Sequence, residues 1–167
     1  MSFRKHIDLI LLPFCHSFTV LDRRNRLVMD NRAVAFLARM DHTLLHLGQH
    51  QNVRYDTVVT NIGGGYHQSH GVFIAPVAGI YIFSTTVLSL NKPHGWVELE
   101  IEKNGGLLAT AYAYGDADRD QGSVTVVTQV AVSDEVWVRV RFPTTEAQIF
   151  GSGLSSFMGC LIMPTET

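Results

Sequence analysis

The sequence predicts an all-β sandwich or barrel, and three observations carry that prediction. From Ala33 onward, short segments of alternating apolar and polar residues are separated by turn residues, which is the pattern of an all-β domain. The stretch 71–83, GVFIAPVAGIYIF, contains two apolar segments that meet at a corner, because Pro76 is a poor strand-interior residue and Gly79 can close a bend. Asn104-Gly105 is a dipeptide typical of a two-residue hairpin turn.

The overall composition sets limits on size and partners. The chain has 167 residues, of which 46% are hydrophobic, enough for one domain with an ample core. The formal net charge of -2 provides no broad basic field, so we expect no binding to nucleic acid. No run approaches the ~20 apolar residues that a membrane span requires. Two cysteines, Cys15 and Cys160, cannot form a disulfide framework, and the apolar run around Cys160 predicts a small buried side chain rather than a nucleophile.

The first 32 residues differ from the remainder. Arg4 and Lys5 precede the apolar run IDLILLPFC, which is similar to a secretory signal, but Asp8 interrupts the run and no small-residue cleavage site follows. The arginine-rich segment after it has no heptad pattern that would indicate a coiled coil. We therefore expect an N-terminal extension at residues 1–32 and one domain at residues 33–164. A functioning signal sequence is the alternative for the extension.

The strand that follows the corner has two apolar faces. Alternation places Tyr81, Phe83, Thr85 and Val87 on one side, and Ile80, Ile82, Thr86 and Leu88 on the other. A strand in a two-layer sheet protein normally buries one face and exposes the other. The second apolar face therefore predicts another covering surface, such as a second copy of the chain.

The next three segments predict strands whose faces differ in polarity. In WVELEIEK, the apolar residues are expected to face inward and the three glutamates to face water. These glutamates are Glu98, Glu100 and Glu102. After the hairpin, LLATAYAY places Tyr112 and Tyr114 on one side and small alanines on the other. In EVWVRVRF, the expected buried residues are Val136, Val138, Val140 and Phe142, and the opposite file is Trp137, Arg139 and Arg141.

Motifs for catalysis are absent from the sequence. It shows no local pairing of a nucleophile with a base and no phosphate-binding loop, so we expect a protein that is not an enzyme. His42, His46 and His50 are spaced four apart, as metal ligands on a helix would be, but Gly48 disfavours a helix there. We interpret these histidines as polar surface.

The best candidate site is the loop from Tyr114 to Gln121. Asp116, Asp118 and Asp120 alternate along it, and closely spaced carboxylates are suitable calcium ligands, although the spacing is not that of an EF-hand. Arg119, Tyr112 and Tyr114 would add a cation and aromatic faces to a sugar-binding surface. The alternative is a solvated loop in which the aspartates only favour turns. Trp96 and Trp137 are weaker candidates, because each could equally pack at a protomer interface.

The region 33–164 resembles the globular head domain of complement C1q, which shares its fold with the tumour necrosis factors. The resemblance is carried by the run 55–83 and by AVAFLARM, DEVWVRV and SSFMGCLI, which match in the family's order. The matching positions in the run are Tyr55, Asn61, Gly63, Tyr66, Gly71, Phe73, Pro76, Gly79, Tyr81 and Phe83. The chain is also similar to the stand-alone heads of bivalve molluscs and other invertebrates.

This resemblance implies a ten-stranded jelly roll that assembles as a homotrimer, with Ile80 and Ile82 as protomer contacts. It also implies a secreted, lectin-like pattern-recognition protein of innate immunity that binds carbohydrates or microbial surface glycans, with calcium as a possible cofactor. The alternatives are a cytokine-like ligand for a cell-surface receptor and a self-associating matrix protein. Two departures stand out, since the chain has no collagen repeat and Ser133 replaces the family's usual glycine before Asp134.

Overall fold

The computed structural model describes residues 19–21, 27–29, 33–89, 95–115, 119–143 and 148–165 of the chain. Within these ranges, no helix is long and apolar enough to cross a lipid bilayer. The strands, in chain order, are β1 (Thr19–Leu21), β2 (Leu27–Met29), β3 (Ala35–Met40), β4 (Thr57–Ile62), β5 (Tyr66–His67), β6 (Val72–Ile74), β7 (Gly79–Ser89), β8 (Gly95–Lys103), β9 (Gly106–Gly115), β10 (Asp120–Val130), β11 (Glu135–Pro143) and β12 (Ser155–Pro164).

Ten of the described strands form the expected jelly-roll sandwich. The first sheet has five strands in the order β10-β7-β12-β3-β4, and the second has five in the order β5-β6-β11-β8-β9. All pairings within both sheets are antiparallel. Strands β1 and β2 pair separately as a two-stranded sheet.

Aromatic side chains fill the space between the two sheets. Phe36 of β3 stacks on Tyr66 of β5 and on Phe73 of β6, with ring centroids 4.9 and 5.1 Å apart. Tyr81 and Phe83 of β7 stack on each other with centroids 5.7 Å apart, and both are fully buried. The inward file that alternation predicted for the long strand therefore forms the core.

Two turns that the sequence predicted are present. Strand β6 ends at Ile74 and β7 begins at Gly79, so the corner lies at Pro76 as expected. Asn104 and Gly105 connect β8 to β9 and have φ angles of 50° and 82°. Two positive φ angles in succession are what a type I′ hairpin turn requires.

The turn before β11 keeps its geometry with serine at position 133. Ser133 has a φ of 70°, and its N–H donates to the carbonyl of Ala75 at 2.9 Å. Asp134 accepts hydrogen bonds from the N–H of Ala131 at 2.9 Å and from the side-chain amide of Asn104 at 2.8 Å. These bonds hold Ser133 in a left-handed conformation that a residue with a Cβ disfavours.

The predicted inward file of β11 is wrong at Phe142. Val136, Val138 and Val140 are fully buried as expected, but Phe142 is 43% exposed. The register between β11 and β8 shifts between Val140 and Phe142, which indicates a β-bulge. A bulge inserts an extra residue and turns the following side chains to the other face. Phe142 therefore lies opposite Glu98 on the outer face.

Cys160 is buried, as predicted, but its sulfur is not a free thiol. The side chain is 5% exposed and the residue is disulfide-bonded. Cys15, the chain's other cysteine, lies outside the described residues. In register, Cys160 lies opposite Ile82 on β7.

Candidate functional site

Tyr112 and Tyr114 lie on the outer face of the second sheet, where alternation predicted them. Ala111 and Ala113 point into the core, so the two tyrosines between and after them point outward and are 52% and 42% exposed. Trp96 of β8 lies opposite Tyr114 in the strand register, and its ring centroid is 5.8 Å from that of Tyr112. The structure thus brings Trp96 into the same surface as the predicted tyrosines.

Asp120 and Arg119 lie where the chain enters β10. The carboxylate of Asp120 accepts a hydrogen bond from the backbone N–H of Tyr114 at 2.8 Å, which links the start of β10 to the end of β9. The guanidinium carbon of Arg119 lies 4.6 Å from the centroid of the Phe150 ring, within the range of a cation–π contact. Asp116 and Asp118 fall outside the described residues.

Strands β9 and β10 approach each other closely although they belong to different sheets. A Cβ added at Gly122 of β10 would collide with the carbonyl group of Tyr112. Only glycine leaves room for this approach, which fixes Tyr112 beside the edge of the first sheet.

The predicted calcium site is only partly represented in the structure. Of its three aspartates, Asp120 alone is described, and its Oδ2 atom already accepts the Tyr114 N–H. Across the described ranges, no group of three or more His, Cys, Asp or Glu side chains is arranged to hold a metal ion. Calcium binding by Asp116, Asp118 and Asp120 therefore stays a prediction.

The three histidines spaced four apart lie in an irregular loop rather than on a helix. His46 and His50 have positive φ angles of 55° and 61°. His42 pairs with Asp56, with Nδ1 and Oδ2 2.6 Å apart, and Asp56 also accepts the N–H of Asp41 at 2.7 Å. Burial acts to raise the pKa of Asp56, but these hydrogen bonds outweigh burial and hold the pKa below its usual value. The interpretation as polar surface fits His42, whose ring fastens the loop after β3.

Two of the three glutamates of β8 are buried, contrary to the prediction that all three face water, whereas Glu98 is partly exposed. All three point outward, but Glu100 and Glu102 are only 3% and 1% exposed. Arg139 of β11 forms ion pairs with both, from Nε to Glu100 and from Nη2 to Glu102. Arg141 bonds Glu98 at 2.9 Å and reaches the second oxygen of Glu100 at 3.8 Å. These five residues form a Glu–Arg ladder across β8 and β11.

Glu102 is the most buried member of the Glu–Arg ladder. Burial raises the pKa of Glu102 above its usual value, and the Arg139 guanidinium offsets only part of the rise. Glu100 adds to the increase by like-charge repulsion, and His50 opposes it. Three carboxylates share two guanidinium groups, so protonation of one glutamate would balance the charge of the ladder.

Ile80 and Ile82 lie on the outer face of the first sheet, as expected. Both are partly exposed, whereas Tyr81 and Phe83 between and after them are fully buried. Val127 of β10 lies opposite Ile82 and is 57% exposed. The same face includes Leu37, Ile62 and Met158. Apolar side chains therefore occur on this face on all five strands, with polar residues such as Ser84 and Gln129 among them.

The family model of the C1q domain matches residues 35–162, a range that starts with strand β3 and ends within strand β12. The chain belongs to the C1q domain family. The resemblance seen in the run 55–83 is thereby confirmed.

Sequence relatives and solved structures agree with this membership. Over 119 residues, or 71% of the chain, the C1q domain is 30% identical to complement C1q tumor necrosis factor-related protein 3 of Mus musculus. That alignment spans 47% of the mouse protein, so the chain covers about half of its length.

Three solved structures share the fold at low sequence identity. The globular domain of zebrafish complement 1qA protein has a TM-score of 0.66 at 18% identity, over 79% of this chain and 99% of its own. Eiger TNF from S. frugiperda gives 0.67 at 7% identity, over 81% and 96%, and murine APRIL gives 0.61 at 11% identity, over 78% and 99%. These TM-scores establish a common fold.

The Glu–Arg ladder of this C1q domain is the main feature that sequence reasoning missed. The sequence does contain an indication of it. Glutamates alternate with apolar residues in WVELEIEK, and arginines alternate with apolar residues in VWVRVRF, which is of similar length. Recognising it would have required knowing that β8 and β11 are neighbours in the sheet, although 31 residues separate Asn104, which follows β8, from Glu135, which begins β11. Cross-strand pairs of opposite charge stabilise such neighbours.

Proposed function

We propose that this C1q domain is a secreted, non-enzymatic recognition protein that binds glycans of microbial surfaces. The observation that carries the proposal is the exposure of Tyr112 and Tyr114 beside Trp96 on a rigid sheet face. Exposing aromatic rings to water is unfavourable, and such rings on a rigid scaffold are typical of ligand contacts. Asp120, at the start of β10, adds a carboxylate beside this surface through the hydrogen bond that it accepts from the Tyr114 N–H, and Arg119 precedes it.

The proposed protein acts as a homotrimer. Ile80, Ile82 and Val127 contribute an apolar surface on the first sheet, and exposed apolar patches of this kind support protein–protein contact. A trimer would cover these side chains and present three copies of the tyrosine surface together. Three weak sugar contacts would then act with the avidity of linked sites.

Secretion is supported by the redox state of Cys160. Its disulfide bond is of a kind that persists mainly in oxidising surroundings such as the extracellular space. The name of the matched mouse protein refers to complement, which is a further reason to expect an extracellular location. Mass spectrometry of the secreted protein under non-reducing conditions would test the bond, and a free Cys160 thiol would remove this support.

Calcium is part of the proposal through Asp116, Asp118 and Asp120. Carboxylate oxygens are the ligands calcium prefers, and a bound ion could share the vicinal hydroxyls of a sugar. The Oδ1 atom of Asp120 is the oxygen to assign to this role, because Oδ2 holds the Tyr114 N–H. Isothermal titration with calcium should show one site per chain, and Asp118→Asn should remove that site. The absence of any heat of binding would contradict the calcium proposal.

The central test is a glycan array with the full chain, with and without calcium. We expect binding to a defined set of glycans, reduced at least tenfold by Tyr114→Ala or Asp116→Ala. Leu107→Ala, an exposed position at the other end of β9, is the matched control. Failure to bind any glycan under either condition would contradict the proposal.

A second candidate is a cytokine-like ligand for a cell-surface receptor. It is favoured by the fold shared with Eiger TNF and murine APRIL and by the mouse relative's name. Saturable binding to cells whose surface glycans have been removed enzymatically would support this candidate over the first. Loss of cell binding after that treatment would support glycan recognition.

A further inference from the structure

Four aromatic side chains project from one end of the outer face of the second sheet. They are Trp96, Tyr112, Tyr114 and Phe142, named here the aromatic platform. Trp96 lies opposite Tyr114, while Glu98 lies opposite both Tyr112 on one side and Phe142 on the other. The rings are therefore distributed around Glu98 on three adjacent strands.

The position of the aromatic platform depends on the β-bulge in β11. Without the register shift after Val140, Phe142 would point into the core with the other members of its file. Instead it is 43% exposed, and Tyr112 and Tyr114 are exposed to similar extents. A bulge that brings a large ring out of the core loses burial, which is readily understood if the ring has a ligand to contact.

Polar groups stand among these rings. Arg141 donates to Glu98 at 2.9 Å, and its guanidinium carbon lies 5.4 Å from the centroid of Phe142. The pair is held in place, yet a guanidinium has five donors and a carboxylate can accept several hydrogen bonds. Both groups therefore retain capacity for hydroxyl groups of a ligand.

The geometry favours a flat ligand. Side chains on one face of a sheet stand side by side rather than enclosing a cavity. The electron-rich faces of aromatic rings attract the polarised C–H groups on the apolar face of a pyranose ring. Hydroxyl groups at the edge of the same sugar would then reach Glu98 and Arg141.

The charge around the aromatic platform restricts the class of sugar. The cation within the aromatic platform is already paired, because Arg141 lies 2.9 Å from a Glu98 oxygen and 3.8 Å from a Glu100 oxygen. An acidic sugar such as a sialic acid or a uronic acid would therefore meet the Glu98 carboxylate without an uncommitted cation to offset the repulsion. A neutral pyranose would meet no such repulsion.

We infer that the aromatic platform is a subsite for a neutral pyranose, which stacks on Tyr112 and Trp96 and bonds Glu98 and Arg141 through its hydroxyls. The inference rests on the proposed glycan-binding function and extends it to residues outside the aspartate loop. Because none of these groups is a calcium ligand in the proposal above, the subsite works without calcium.

The test uses the full chain in excess EDTA on an array of neutral and acidic glycans, followed by calorimetric titration with the best neutral glycan. We expect Tyr112→Ala and Trp96→Ala each to weaken binding about tenfold, since aromatic contacts of this kind carry much of the affinity. Tyr112→Phe keeps the ring and should stay within about threefold of the wild type. Leu107→Ala is the control for an exposed apolar residue on the same strand.

The outcomes separate this inference from the proposed function. Glycan binding by the wild type that survives both alanine variants would overturn the subsite while leaving glycan recognition in place. Binding that requires calcium, or that is restricted to acidic glycans, would also overturn the subsite alone. A wild type that binds no glycan with or without calcium would contradict the proposed function and the subsite together.

Discussion

Ser133 has a backbone conformation that glycine would adopt without strain. Its φ of 70° lies in the left-handed region, where a Cβ costs about 1–2 kcal/mol, part of which glycine would lose again through a more flexible unfolded chain. We expect Ser133→Gly to raise the free energy of unfolding by about 0.5–1 kcal/mol, measured by urea denaturation. Ser123→Gly, the same change in strand β10, should lower it by a similar amount. A loss of stability at position 133 would show that the serine side chain stabilises the turn.

Glu102 should make stability depend on pH. Its pKa is raised in the folded protein, so it contributes stability that is present below the pKa of the unfolded chain and is lost as pH rises through the folded value. Glutamine cannot ionise, so the stability of Glu102→Gln relative to the wild type should increase from pH 5 to pH 8. Urea denaturation at several pH values measures this trend.

Other carboxyl groups act in the opposite direction and must be separated from Glu102. Hydrogen bonding, led by the Ala131 N–H, lowers the pKa of Asp134, so its contribution is lost as pH falls. Asp134 is present in both the wild type and Glu102→Gln, so its contribution cancels in the difference between their free energies of unfolding. Glu135→Gln, at an exposed position on β11, is the matched control, and an equal pH trend in it would contradict the assignment to Glu102.

The pairing of β8 with β11 is reinforced by Arg139. Removing its guanidinium would leave Glu100 and Glu102 buried without their shared counterion. We expect Arg139→Ala to lower the free energy of unfolding by about 3–5 kcal/mol, as for other broken buried pairs. Arg54→Ala, at an exposed position, should change it by less than about 1 kcal/mol.

A double-mutant cycle tests whether this loss arises in the ladder. Adding Glu102→Ala to Arg139→Ala should restore part of the stability, because the uncompensated carboxylate is removed. Strictly additive effects would mean that Arg139 acts through packing of its aliphatic stem instead.

Trimerisation is the expectation at the scale of the whole molecule. Light scattering should give about three times the 18.6 kDa mass of the chain, because a trimer would cover the partly exposed apolar side chains of Ile80, Ile82 and Val127. Val127→Asp should shift the mass to that of the monomer. Leu107→Asp, which introduces the same charge on the second sheet, should leave the trimer intact. A wild-type monomer at micromolar concentration would contradict the assembly.

The elements of the fold could be predicted from local patterns in the chain. The corner at Pro76, the hairpin at Asn104-Gly105 and the inward file of β7 are all present as expected. Each depends on neighbours in the chain, through fixed φ angles or the two-residue period of a strand. The C1q resemblance added the ten-stranded jelly roll, whereas the order of strands within each sheet came only from the structure.

Part of the candidate site was also predictable. Tyr112 and Tyr114 point outward because they alternate with small buried alanines, a pattern visible in LLATAYAY. The roles of Asp116 and Asp118 stay predictions, since these residues lie outside the described ranges. The contribution of Trp96 required the register between β8 and β9, which places its ring against Tyr112.

By itself, the sequence determined which residues point inward or outward along each regular strand. The tertiary structure decided what surrounds them: Glu100 and Glu102 point outward yet are buried, because β11 places Arg139 against them. It also decided where the two-residue alternation of side chains is interrupted, since the bulge after Val140 turns Phe142 outward. Side-chain alternation is a property of one strand, whereas burial, ion pairing and bulges depend on the neighbouring strand, whose register is set only when the sheet forms.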